Sequence, residues 1–445
     1  MRYSSVLRVG ISLISLAAIV NAQAAQDSVE TERATVTAAR EWIGGRPFSE
    51  WTRVSGDWGG YRTRLEEIGI EVAGSYTADW VSPLHGGQRS RDTYVSLTDV
   101  NVAFDLDTLL GLERSLLYVD AYQIHGRQPS NDIGDAQGVS NIQGPNTEQV
   151  AELWFETWVG ERLRFKVGKV DFNSEFAFNE FGGDFVHSTV AITPSIVAYP
   201  TYPNPAAAFI AFCRLEESSY VSIGAFDGAG ADGFKTGRKG LGGPFESTQS
   251  DSWFFACEVG TAWAGGNTWG SGRLALGAWH HSAQFAQFSG GTSDGSSGAW
   301  FTFEQVLHRE NPEQQGDDQG LRGFVTLGFA DDDVTLFGRT TTVGCSWVGP
   351  LERRDSDVLG LAMNNADLSD RSGAGTRRPS VSNRTFNTSS IRVVAPASTM
   401  PSCFCCAWRS PSDRGDAAAR GAAVPCCKLK RERGPQPCCI SPFRP

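Results

Sequence analysis

From about Gly69 onward, the sequence falls into short segments in which apolar and polar residues alternate, and this strand–turn rhythm continues for about 300 residues with no helical interruption. Period-two alternation restricts a chain to strands that separate two environments. Val100, Val102, Phe104 and Leu106 share one face of their segment, with Asn101, Asp105 and Asp107 on the other. Arg162, Arg164 and Lys166 alternate with Leu163, Phe165 and Val167. Val325, Leu327 and Phe329 alternate with Phe324, Thr326 and Gly328. A soluble sandwich with its apolar face inward fits this pattern, and so does a barrel with its apolar face on lipid. The uninterrupted rhythm favours the barrel. At roughly 20 residues per strand and connection, it predicts an all-β, transmembrane antiparallel barrel of about 16 strands. Closure lets every backbone group find a partner, which an open sheet in lipid cannot do.

The N-terminus reads as an export signal over residues 1–24. Arg2 and Arg8 precede the apolar run Val9 to Val20, and Ala22-Gln23-Ala24 gives small residues at cleavage spacing. No later run reaches about 18 apolar residues, so no transmembrane helix is expected. Net charge is −11, and no basic stripe occurs in the first 370 residues, which argues against nucleic acid as a partner. After a lead-in at 25–50, Asp57 to Gly69 reads as a short helix ahead of the first strand. Asp57 is placed to cap it and Gly69 to end it. Such a helix is expected in or beneath a pore, or as a plain lead-in.

Several blocks then carry a resemblance. They are SGDWGGYRTRLEEIG (55–69), IHGRQPSNDIGDAQGVSNI (124–142) with ELWFE (152–156), KVGKVDFNSEFAFNEF (166–181), GAFDG (224–228) and DVLGL (357–361). In combination and in this order, the chain resembles the OprB-type carbohydrate-selective porins over about residues 50–370. The resemblance implies a monomeric barrel of about 16 strands in a Gram-negative outer membrane. It also implies sugar diffusion as the activity, with no catalysis and no cofactor.

A lumen that favours sugars needs hydrogen-bonding groups of both signs and flat aromatic faces. Glu152, Trp154, Glu156 and Trp158 share one strand face. Arg162, Arg164 and Lys166 share a face of the next strand, across a two-residue Gly160-Glu161 connection. Paired, the two strands would form a sugar-contacting wall, or would merely solvate the lumen by ordinary cross-strand ion pairs. Arg127, Asp135 and Glu175 lie in the resemblance blocks on loops and are candidates for an inward-folded constriction.

Enzymatic readings find little. There are six His, and His280-His281 is an isolated pair. No Cys/His metal spacing, nucleophile elbow or phosphate loop occurs. Asp331-Asp332-Asp333 reads as a solvated turn rather than a Ca²⁺ loop.

Beyond about Asp370 the design changes. Residues 371–445 carry +10, leaving −21 for the rest, and seven of the ten cysteines fall there, at 403, 405, 406, 426, 427, 438 and 439. A basic extension, a disulfide module and an out-of-frame translation compete. Reading each codon from its third base between Pro379 and Ala395 permits Leu-Ser-Leu-Gln-Pro-Asp-Val-Gln-Tyr-Ile-Ile-His-Pro-Gly-Gly-Ser. That string resembles a penultimate strand of the same family. The tail is therefore expected to be frameshifted and disordered, and a chain ending this way is expected to assemble poorly. The leading function is passive diffusion of glucose-like sugars, with outer-membrane lipid and the barrel-assembly machinery as further partners. A general or ion-preferring porin, and an exported soluble glycan-binding β-protein, are the alternatives.

Overall fold

The computed structural model describes residues 55–84, 87–196, 198–232, 252–265, 270–312, 319–351, 357–369 and 385–393, the last as backbone. The expected signal peptide, the lead-in and most of the tail lie outside these residues.

The first described stretch is helical, as its sequence predicts. Trp58–Gly60 forms a single 3₁₀ turn, and α1 follows over Tyr61–Glu67. Asp57 Oδ1 accepts from Thr63 N and Thr63 Oγ1, each at 2.9 Å. This satisfies one of the donors a helix start leaves free. The Arg62 guanidinium lies 4.2 Å from the Trp58 ring centre. Gly69 ends the segment with φ +88°, a conformation open to glycine, and a Cβ there would meet Asp105 O at 3.0 Å.

Fourteen strands follow, all antiparallel in one sheet, each bonded to its neighbours in sequence. The first seven are β1 Ile70–Val81, β2 Thr93–Asp105, β3 Ser115–Gly126, β4 Thr147–Val159, β5 Leu163–Val170, β6 Ala206–Arg214 and β7 Ser219–Asp227. The others are β8 Trp253–Trp263, β9 Gly272–Ala286, β10 Thr292–Arg309, β11 Gly320–Ala330, β12 Phe337–Val348, β13 Val358–Leu368 and β14 Thr385–Val393. The sequence predicts about 16, and fourteen is the count among the described residues. β14 falls beyond the expected barrel boundary at 370. It pairs with β13 from Asp367↔Thr385 to Leu359↔Val393.

The alternation sorts as expected. Val100, Val167, Phe209, Ile223, Val259, Leu276 and Leu361 point outward and are between 48% and 54% exposed. Phe324 and Thr326 point inward and are buried, while Val325, Leu327 and Phe329 point outward. Apolar outside and polar inside is the inverse of a soluble sandwich and matches a barrel in lipid. One assignment is corrected. Leu106 and Asp107 do not extend β2, because Asp105 Oδ1 accepts from Asp107 N at 3.1 Å and Thr108 N at 3.5 Å. That cap starts a short helix, α2 (Leu106–Leu110), which Gly111 ends with φ +70°.

At one end of the strands the connections 160–162 and 215–218 are short, and at the other 127–146 and 171–205 are long. The long connections carry α3 (Ser130–Ile133) and α4 (Ser188–Ala191). Residues 171–205, between β5 and β6, cross the interior. Pro203 O accepts from Tyr122 Oη of β3 at 2.8 Å. Ala177 N donates to Glu258 of β8 at 3.2 Å, and Phe181 N to Glu304 of β10 at 2.9 Å. Asn179 reaches Thr326 of β11 at 3.4 Å, Thr193 reaches Thr340 of β12 at 2.8 Å, and Thr189 O accepts from Asn364 of β13 at 3.4 Å. A single segment touching strands from the third to the thirteenth shows that the sheet curves around it.

Where this segment lands, the lumen wall is apolar, against the simple expectation of a polar inner face. Ala206, Ala208, Ile210, Phe226, Phe254 and Ala256 point inward and are buried. Phe172 fills the space between them. Its ring stacks on Phe176 at 5.4 Å and meets Phe254 edge-on at 5.3 Å, Phe226 at 5.7 Å and Trp300 at 6.0 Å. Such ring pairs contribute about 0.5–1.5 kcal/mol each beyond area burial. Gly224 makes room for this packing, since a Cβ there would meet the Phe176 ring at 2.9 Å.

Candidate functional site

The β4–β5 hairpin builds the wall that the sequence outlines. Glu156 faces Lys166, Trp158 faces Arg164 and Trp154 faces Gly168, all on the inner side. Arg164 Nη1 lies 3.5 Å and Lys166 Nζ 3.2 Å from Glu156 Oε2. The Lys166 ammonium sits 3.8 Å from the Trp154 ring centre. Trp154 in turn donates from Nε1 to Glu152 at 2.7 Å and stacks on Tyr118 at 4.8 Å.

Glu175, from the 171–205 segment, completes the group by pairing with both Arg164 and Lys166. The sequence nominates Glu175 on its own, on a loop, and the structure brings it to the wall. Burial raises its carboxyl pKa, but Arg164 and then Lys166 outweigh this, so the carboxyl stays below its usual range. With Lys166 1% and Arg164 5% exposed, the cations make their contacts with the inward segment.

Two details of the wall differ from expectation. The connection is Gly160 to Arg162, three residues rather than two, so Arg162 sits exposed in the turn and not on the inner face. Its carbonyl accepts from Arg214 N at 2.8 Å. Trp158 does face inward, with Arg114 at 5.1 Å and Arg214 at 5.5 Å from its ring centre.

The remaining candidates organise loops. Arg127 Nε pairs with buried Asp132 at 3.1 Å. Asp135 accepts from Gly138 N at 2.7 Å, Gln137 N at 3.0 Å and Ser130 Oγ at 3.0 Å. It folds the 127–146 connection against the inward segment, where Ser188 Oγ donates to Ser140 O at 3.0 Å. Nearby, His187 Nδ1 lies 3.0 Å from Thr189 Oγ1 at the start of α4. Burial lowers the His187 pKa, opposed by Asp135.

Sequence reading misses a second anchor. Arg273 of β9 bridges Glu258 at 3.2 Å and Glu304 at 3.1 Å, and its guanidinium lies 3.9 Å from the Phe178 ring centre. Tyr220 Oη and Trp300 Nε1 donate to Glu258 at 2.7 and 2.8 Å. These residues come from the four consecutive strands β7 to β10, and Arg273 and Glu304 are direct cross-strand partners. Each lies on an inward position of its strand, and that parity is the signal that could have found them. Among the described residues, no group of three His, Cys, Asp or Glu side chains is placed to hold a metal ion. Asp331 accepts from Asp333 N at 2.9 Å, as a turn residue does.

Comparison with known proteins adds the decisive observation. The family model described as carbohydrate-selective porin, OprB family, matches residues 90–389. The chain belongs to the OprB family of carbohydrate-selective porins. This porin is similar to Porin B of Pseudomonas aeruginosa strain PAO1, with 25% identity over 358 residues covering 73% of this chain and 75% of the relative. Its fold matches the high-pH structure of Pseudomonas putida OprB with a TM-score of 0.64 at 19% identity, covering 73% of this chain and 81% of that one. An OprB-family porin is a transport channel rather than an enzyme.

Proposed function

We propose that this OprB-family porin lets glucose-sized sugars diffuse across the outer membrane of a Gram-negative bacterium, as a monomer delivered by the barrel-assembly machinery. The observation that carries the reading is the 171–205 segment, held across the interior by the Glu175 ion pairs on one flank and by backbone hydrogen bonds to Glu258 and Glu304 on the other. A segment fixed in this way narrows the passage to small solutes. The polar groups around it exchange hydrogen bonds with hydroxyls without attracting ions of a single sign.

Within that reading, Glu152, Trp154, Glu156, Arg164, Lys166 and Glu175 act by shaping the passage, as does the Glu258–Arg273–Glu304 group. Arg127 and Asp135 set the 127–146 connection, and Trp158 lies toward the short-turn mouth. The test is solute entry into liposomes containing the purified protein. Glucose is expected to enter faster than ions of similar size. Equal entry of both would favour a general porin of the same fold.

A further inference from the structure

The long-connection end of β1, β2 and β3 carries exposed groups that sugar passage does not use. In membrane barrels short turns face the periplasm and long loops the cell exterior, so this rim lies outside. Asp132 of α3 is fully buried, and two arginines from separate connections share its carboxylate. Arg89 Nη1 lies 3.5 Å from Oδ1 and Arg127 Nε 3.1 Å from Oδ2, while Thr93 Oγ1 donates to Oδ2 at 3.3 Å. Arg89 N also donates to Asp132 O at 2.8 Å, which fixes the first connection on the second. The Arg89 and Arg127 side chains remain 63% and 48% exposed. Arg91 is exposed too and pairs with no carboxylate among the described residues.

One carboxylate holding two guanidiniums leaves positive charge in excess, and each planar fork keeps N–H groups for a further acceptor. Such forks match phosphate oxygens bidentately. Next to them the outer face is aromatic. Arg127 N donates to Tyr94 O at 2.9 Å, Tyr94 lies opposite Trp80, and the Tyr76 and Tyr94 hydroxyls meet. Trp80 is 69% and Leu84 97% exposed. Trp80 Nε1 donates to Ser82 Oγ at 3.2 Å and Ser82 Oγ to Asp92 at 2.8 Å, so the Asp92 carboxylate is engaged in placing the indole. Outward aromatics mark the depth where acyl chains give way to headgroups, and guanidiniums one step beyond them sit at the depth of lipid phosphates. A small anionic solute would use the arginines and leave Trp80 and Leu84 without a role.

We propose that this rim binds lipopolysaccharide, the lipid class that joins headgroup phosphates to several acyl chains in the outer leaflet. Its phosphates meet Arg89, Arg91 and Arg127 through charge-assisted hydrogen bonds, and its acyl chains lie against Trp80 and Tyr94. The inference rests on the outer-membrane reading, and glucose entry is measured beside lipid binding so that the two fail separately.

Binding of fluorescently labelled lipopolysaccharide to the full-length protein in detergent is followed by anisotropy, with unlabelled competitors and beside the double variant Arg89→Gln/Arg91→Gln. Lipopolysaccharide stripped of its phosphates is expected to compete about tenfold more weakly than the intact lipid, and the variant to bind the intact lipid about tenfold more weakly. Glucose 6-phosphate is expected not to compete. Equal competition by the stripped lipid, or unchanged affinity in the variant, overturns the proposal. Competition by glucose 6-phosphate as strong as that of the lipid makes the rim a site for phosphorylated solutes and overturns it as well. Glucose entry into liposomes should agree within about twofold between the two proteins. No glucose entry with the unaltered protein would instead overturn the porin reading. Heat-shifted gel migration reports whether the variant folds. If it does not, Arg89→Gln alone, which leaves Asp132 paired with Arg127, decides, and an unchanged affinity overturns the proposal.

Discussion

Glu175 shows how much one loop residue carries. It neutralises Arg164 and Lys166 together, in a place where neither cation has water to fall back on. Removing one partner of a buried pair costs about 3–5 kcal/mol, because the other charge is left uncompensated. Glu175→Gln is therefore expected to lower the chemical-denaturation midpoint in detergent and to raise single-channel current noise. A variant with unchanged midpoint and quiet current would contradict the anchoring role. The pH dependence has a defined sign. A carboxyl held below its usual range contributes stability that is present above its unfolded pKa and is lost only as pH falls through the lower folded value. The anchor should thus survive at pH 5. His187 behaves oppositely in range. Its folded pKa is lowered, so stability is complete above the unfolded value of about 6.5 and declines as pH drops below it. Hydrogen exchange over 185–192 should quicken between pH 7 and pH 5.5 while residues around Glu175 stay protected.

At the scale of elements, the β4–β5 hairpin and the inward segment act as one unit. Asp171 closes the segment on itself, accepting from Asn173 N at 2.8 Å near its start and from Tyr202 N at 2.7 Å near its end. The second anchor then ties its middle to β8, β9 and β10. Arg273→Ala leaves Glu258 and Glu304 facing each other without their shared cation. Faster exchange of the amides of Ala177 and Phe181 is expected, with β4 and β5 little changed. Uniform loosening of the whole barrel would argue instead that Arg273 merely supports the fold. The hairpin was largely legible in the sequence, since strict alternation over 152–158 fixes which side chains share a face. Arg162 was not, because strand ends depend on where the turn closes, and here Gly160 takes φ +62° and adds a residue to the connection. β6 was not legible either. Its sequence AAAFIAFCR is apolar on both faces, and only the packing of Phe172 and Phe176 says why the inner face needs to be so.

For the whole molecule, an outer belt of half-exposed Val, Leu, Ile and Phe side chains around a polar interior predicts partitioning into the outer membrane and a gel mobility that shifts on heating. A protein recovered in the soluble fraction with no such shift would count against the porin reading. Within the described residues β1 and β14 each bond on one side, so the count of fourteen strands is a count of those residues only.

By itself, the sequence determined the strand character, the face each side chain takes and the family blocks, because these follow from local period and spacing. The tertiary structure decided what those faces meet. It set Glu175 between Arg164 and Lys166 and held Glu258, Arg273 and Glu304 together across three neighbouring strands. Partners such as Arg273 and Glu304 follow from the register between neighbouring strands, and Glu175 is placed by the path of one long connection. Neither leaves a local signature that a strand could display.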